Sequence, residues 1–160
     1  MDLVRDSLKS FLQRYYVLEN KNYHDKPEEL IKFINDRRNA SLGDSIINFI
    51  YSCSKSMARE ECTGIKVSDE ILLKGYNSSK LASWLHLPGK KKDKANAIEA
   101  LIFFIWLNYD FSIEEMALNL LSKMKIQGMN LNNEVEEKRI AGQAFTQLFD
   151  TFNELLLQQK

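Results

Sequence analysis

The chain has 160 residues, 44% of them apolar and 28% charged, which fits one domain with a sizeable core and leaves no room for a second. Its 22 Lys and Arg balance 22 Asp and Glu, so no global field draws in nucleic acid and a polyanionic partner has to be held by a local patch. Cys53 and Cys62 are too few for a disulfide framework or a zinc site, the start MDLVRDSLKS is not a secretory signal, and no apolar run can span a bilayer, so the expectation is a soluble cytoplasmic protein with free thiols and no membrane partner.

Taken in chain order, Val4, Leu8, Phe11, Leu12, Tyr15 and Tyr16 recur at spacings of three and four, which predicts an amphipathic helix over about 2–19. Pro27 opens a short helix that uses Leu30, Ile31 and Phe33 and ends near Asn35 and Asp36. A wide stripe of Ile46, Ile47, Phe49, Ile50, Cys53 and Met57 predicts a helix from about Leu42 to Ala58, with Asp44 on its first turns. After a loop around Gly64, Ser68 followed by Asp69 and Glu70 starts a helix to about Tyr76, its acids placed where the helix dipole favours them. A further short helix follows over 78–85, and Pro88-Gly89 with the run KKKDK reads as a basic loop.

The next stretch, AIEALIFFIWL from Ala97 to Leu107, is apolar at ten of eleven positions, the exception being Glu99. A helix apolar on every side runs through a core. A carboxylate carried there loses hydration and must be protonated, paired with a cation or bound to a metal. A structural helix that turns Glu99 toward an Arg or Lys is the plain alternative. Asn96, three residues earlier, shares its face. Ser112 with Glu115 forms a capping box for a helix ending near Met124, Gly128 and the neighbouring asparagines mark a linker, and a last helix over about 134–157 carries Ala141, Phe145, Leu148, Phe152 and Leu155 on one face. No alternating strand pattern or internal repeat is present, so the fold class is all-α.

Leu42-Gly43-Asp44-Ser45 before an apolar helix, and some fifty residues later Asn96-x-x-Glu99-Ala100-Leu101-Ile102, together resemble the nuclease domain of the ribonuclease III family. Neither motif is specific alone; their order, spacing and intervening helices carry the resemblance, which covers about 30–124 with the flanking helices at about 2–19 and 134–157 outside it or weakly matched. It implies a helical endonuclease domain that forms an intertwined or face-packed homodimer and cuts double-stranded or structured RNA with Mg²⁺ or Mn²⁺. Where the larger enzymes have four acids, this chain has Ala40, Asp44, Asn96 and Glu99. The compact mini-ribonuclease III branch also has non-acids at the first and third of these and is active, with ribosomal RNA maturation as its associated role. The thirty-six residues after Met124 are too few for a double-stranded RNA-binding domain, so the expectation is a lone nuclease domain over 1–160.

On that resemblance, Asp44 and Glu99 are the candidate catalytic residues and metal ligands, with Asn96 offering its carbonyl oxygen through a water. Hard divalent cations bind through one or two carboxylates and keep several waters, so two acids on neighbouring helices suffice for a partial shell. Gly43 is expected to let those helices approach closely. Candidates for the RNA backbone are Lys90, Lys91, Lys92 and Lys94, with Lys66, Arg37 and Arg38 less central; the plain alternative for KKKDK is a solvated loop. Two further readings stay open: an inactive ribonuclease III-like domain that binds RNA or a ribonucleoprotein without cutting, and an all-α protein-interaction module. Phe103, Phe104 and Trp106 read as core and dimer interface.

Overall fold

Apolar residues at helical spacing build seven α-helices in the computed structural model, which describes residues 3–18, 23–126 and 133–158. They are α1 (Leu3–Leu12), α2 (Glu28–Ile34), α3 (Arg37–Arg59), α4 (Asp69–Asn77), α5 (Lys91–Asn108), α6 (Ile113–Ile126) and α7 (Glu134–Leu157). Among the described residues there is no strand, as the all-α reading expected. The linker around Gly128 lies outside the described residues.

The core is assembled round α5. From Ala97 to Ile105 every side chain is buried, Glu99 with them, and burying each large apolar group there contributes about 1.5–3 kcal/mol. Helix α3 packs along α5, α1, α2 and α4 flank it, and α7 closes the bundle against α4 and α6. Phe33 of α2 meets the rings of Phe103 and Phe104 at 5.6 and 5.1 Å, which makes these aromatics core. Between α3 and α7, the buried Lys55 ammonium pairs with Glu137.

Four boundaries differ from expectation, each for a tertiary reason. Helix α1 stops at Leu12 rather than near residue 19; the chain tightens into i−3 bonds there, and the Tyr16 hydroxyl meets Asp36 at 2.5 Å while its ring packs on Phe33 at 4.9 Å. Helix α3 starts at Arg37, five residues early, because the Asp36 carboxylate accepts the Arg38 amide at 2.9 Å as its N-cap. Asp44 therefore sits two turns inside α3. The expected helix over 78–85 is a single 3₁₀ turn, Lys80–Ser83, pulled onto α7 by Asp150 accepting from the Lys80 amide (2.7 Å) and Asn153 accepting from Trp84 Nε1 (2.7 Å). The basic run is not a loop: Lys91–Lys94 form the first turn of α5, since Asp93 Oδ2 accepts the Lys90 amide at 3.1 Å. Gly89, at φ +90° and against Asp93, makes the turn that feeds it.

One close approach sets the geometry of the bundle. A Cβ on Gly43 would lie 1.8 Å from the carbonyl oxygen of Glu99 and 2.3 Å from its carbonyl carbon. The backbones of α3 and α5 thus touch where only glycine fits. Helix propensity alone favours Ala by about 1 kcal/mol, yet Gly43→Ala is expected to destabilise the protein by about 3 kcal/mol because neither backbone can yield cheaply. Gly64, where an added Cβ would meet nothing within 4 Å, is the control: Gly64→Ala should stay within about 0.5 kcal/mol. Urea unfolding of both variants decides, and equal midpoints would refute the tight crossing.

Candidate functional site

Asp44 immediately follows the glycine of this crossing on α3, and Glu99 is the residue whose carbonyl the glycine touches on α5. They face a common open cleft of about 370 Å³, lined by Arg37, Ala40, Ser41, Asp44, Lys66, Lys92, Asn96 and Glu99. On α5, Lys92, Asn96 and Glu99 fall at spacings of four and three; on α3, Arg37, Ala40 and Asp44 fall at three and four. Two helical faces therefore meet with their polar residues aligned.

Burial pushes the Glu99 carboxyl up to about 7, with the Asp44 charge beside it acting in the same direction and Asp69 adding to it, while Lys92 opposes. Only 5% of Glu99 is exposed. The acids form a like-charge pair on the two facing helices. Lys66 Nζ lies 3.8 Å from Asp44 Oδ1, Lys92 Nζ 3.4 Å from Asp69 Oδ2, and Arg37 3.9 Å from Asp93 Oδ1.

Lys66 is brought there by a device the sequence reading missed. The extended segment before α4 lies against α3, and Ser56, Ser52 and Asn48, at i+4 spacing, each accept one of its amides: Thr63 at 2.9 Å, Ile65 at 3.0 Å and Val67 at 2.8 Å. Four helical residues advance about 6 Å and two extended ones about 6.6 Å, so the two periods match. Asn48 completes the link by donating to Asp44 Oδ1 at 3.0 Å, which orients the acid. The available signal was a polar stripe at i+4 spacing on α3, Asn48-x-x-x-Ser52-x-x-x-Ser56. Asp69 was read only as a helix-start acid, which it is; its partnership with Lys92 needed the fold.

Of the expected RNA-contacting residues, Arg37, Lys66 and Lys92 line the cleft. Lys90 occupies the N-cap position of α5, Lys91 is exposed and Lys94 half-buried within its first turn, and none of them is in the lining. Arg38 is turned away: its guanidinium grips Asp36 at 2.7 and 3.1 Å, holding that carboxyl well below the usual range, and borders a separate apolar groove with Leu8, Phe11 and Leu42.

Among the described residues no group of three or more Asp, Glu, His or Cys is arranged to hold a metal. Two carboxylates with an amide oxygen still fit a hydrated Mg²⁺ or Mn²⁺, which bind through one or two carboxylates and keep water elsewhere.

The family model described as Ribonuclease III matches residues 37–158, most of the chain. The match starts at the first residue of α3 and runs through α7, past the 30–124 segment that carried the motifs. No curated protein matches the chain.

The raised Glu99 group has a measurable consequence for the metal-free protein. Between about pH 4.5 and about pH 7 the folded protein keeps a proton that the unfolded chain has released, so stability falls as pH rises through this window and the loss is complete above it. Glu99→Gln removes that dependence. The variant is expected to match the natural protein well below pH 4.5 and to exceed it by about 3 kcal/mol at pH 8 in chelator. Thermal unfolding across pH tests this, and a variant less stable at pH 8 would contradict it.

Proposed function

The chain belongs to the ribonuclease III family, and from that premise we propose that it is a metal-dependent endoribonuclease that hydrolyses phosphodiester bonds in double-stranded or structured RNA, with Asp44 and Glu99 as the metal ligands. A ribonuclease-type function follows from the family; the metal, the substrate and the ribosomal RNA assignment are this proposal's own. The observation that carries it is the pair of carboxylates on facing helices in one open cleft with Arg37, Lys66 and Lys92 around them. Mixed charge of this kind suits a phosphodiester: acids for a hard cation, cations for the phosphate.

Hydrolysis adds water across a P–O bond, and negative charge builds on the phosphoryl oxygens as it proceeds. When bound, Mg²⁺ or Mn²⁺ lowers the pKa of water and compensates that charge. The chain's own part is to hold Asp44 through Asn48, to keep Glu99 in a nearly dry setting where its charge acts strongly, and to present Asn96 to a water beside them. Arg37 and Lys92 approach the RNA backbone, and duplex recognition through phosphate and 2′-hydroxyl contacts calls for little sequence code.

A two-fold homodimer belongs to the same reading. Phe11, Tyr15, Leu42 and Phe49 are large apolar residues left 51%, 54%, 38% and 59% exposed, and Leu42 and Phe49 lie two turns apart on one face of α3. Such a patch supports self-association. The free thiols Cys53 and Cys62 support a reducing, cytoplasmic setting. The second reading, an RNA-binding domain that does not cut, draws on Ala40 and Asn96 standing where acids are expected in the larger enzymes.

Incubation with a long RNA duplex and Mn²⁺ separates the two: cleavage supports the enzyme, tight binding without cleavage the binder. Asp44→Asn or Glu99→Gln is expected to lower cleavage by roughly 10³-fold or more while leaving helix content and duplex binding intact; turnover close to that of the natural protein in either variant would sink the mechanism. Light scattering is expected to give twice the monomer mass of 18.6 kDa, and a monomer at micromolar concentration would count against the dimer.

A further inference from the structure

The cleft holds two carboxylates and lacks a third. One helical turn before each acid stands a neutral residue, Ala40 on α3 and Asn96 on α5. Two divalent ions side by side repel four times as strongly as two unit charges, and the two acids of a lining that also carries Arg37, Lys66 and Lys92 leave that repulsion largely uncompensated. One ion is balanced by the acid pair alone.

Lys66 stands apart from the other cations of the lining. Lys92 and Arg37 are held by Asp69 and Asp93, acids outside the lining, whereas the only ion-pair partner of Lys66 among the described residues is Asp44. Its position is not left to a free loop, since Ser52 and Asn48 fasten the backbone on both sides through Ile65 and Val67. An ammonium carried on a fastened backbone segment beside a candidate ligand has two consequences. It competes with any ion for Asp44, and it is set free when an ion takes that carboxylate.

Resting on the nuclease reading, we propose that the cleft takes a single divalent ion and that Lys66 supplies the other positive charge, its ammonium binding a non-bridging oxygen of the scissile phosphate. Lys66 is then a catalytic residue and not one more contact to the RNA backbone. Asp69, held by Lys92, is no part of the ion's shell.

Titration of the full-length protein with Mn²⁺ alone, followed by the spin-resonance signal of the free ion, tests the stoichiometry. One ion per chain is expected, retained in Asp69→Asn and lost in Glu99→Gln. In Lys66→Gln the ion is expected to bind roughly threefold to tenfold more tightly, because a neighbouring positive charge is gone. Cleavage of an RNA duplex at saturating Mn²⁺ is expected to fall about 10²-fold in the same variant, and Lys66→Arg, which keeps the charge, to retain most of it. Lys66 is exposed, so these variants fold. Two ions per chain with intact cleavage overturns the proposal and leaves the nuclease reading standing. Unchanged Mn²⁺ affinity and unchanged cleavage in Lys66→Gln overturns the role of the lysine. One ion bound with no RNA cut overturns the role at phosphate together with the nuclease reading, leaving only a single-ion site.

Discussion

The contact on which the rest of the molecule depends is that of two helix backbones, Gly43 on α3 against the carbonyl of Glu99 on α5. No side chain separates them there, so the crossing point of the two helices is set by main-chain atoms, which have little freedom to adjust. Everything next to that point inherits its precision. Asp44 follows the glycine, Glu99 is the residue touched, and the two carboxylates lie in one cleft because their backbones are already in contact. The same contact places Glu99 on a helix buried from Ala97 to Ile105. Position and burial of the acid have one cause.

The arrangement works against stability at the site and is offset elsewhere. Burial and the neighbouring Asp44 both disfavour an ionised Glu99, which is a local conflict of the kind proteins keep where chemistry is done. Surrounding it are interactions that agree with one another. Phe33 with Phe103 and Phe104 fills the core behind the site, the buried Lys55–Glu137 pair ties α7 to α3, and Asn48, Ser52 and Ser56 fasten the segment 63–67 in front of it. That last ladder does two things at once. It satisfies backbone groups of an extended segment that has no sheet to join, and it carries Lys66 to the acids.

The fold class and the main elements were legible because apolar spacing is a property of each segment by itself. Helices α2, α4 and α7 fall within a residue or two of their expected bounds; Pro27 and Ser68 open the first two as expected, while Asn133, read as part of a linker, caps the third. Glu99 announced itself as one charge in an apolar run, readable without a fold, whereas Gly43 and Asp44 were singled out by the resemblance of their motif. Less legible were Asp36, which caps α3 with one carboxylate oxygen while the other accepts from Tyr16 twenty residues earlier, and KKKDK, which looks like a solvated loop until Asp93 turns back to cap it.

What the sequence by itself determined is the all-α class, the approximate place of most helices and which helix is buried all round, while the pairing of Asp44 with Glu99 came from the resemblance of the two motifs to a known family. Periodicity and burial are local patterns, written within ten to twenty residues. The tertiary structure alone decided which cations reach those acids: Lys66, Lys92 and Arg37 enter the cleft, while Lys90, Lys91, Lys94 and Arg38 do not. It also decided the state of Glu99, since burial, and after it charges from α3, α4 and α5, act on that carboxyl. Distances between elements follow from how backbones cross, and here the crossing turns on the missing side chain of Gly43, a feature whose meaning appears only when the partner helix is in place.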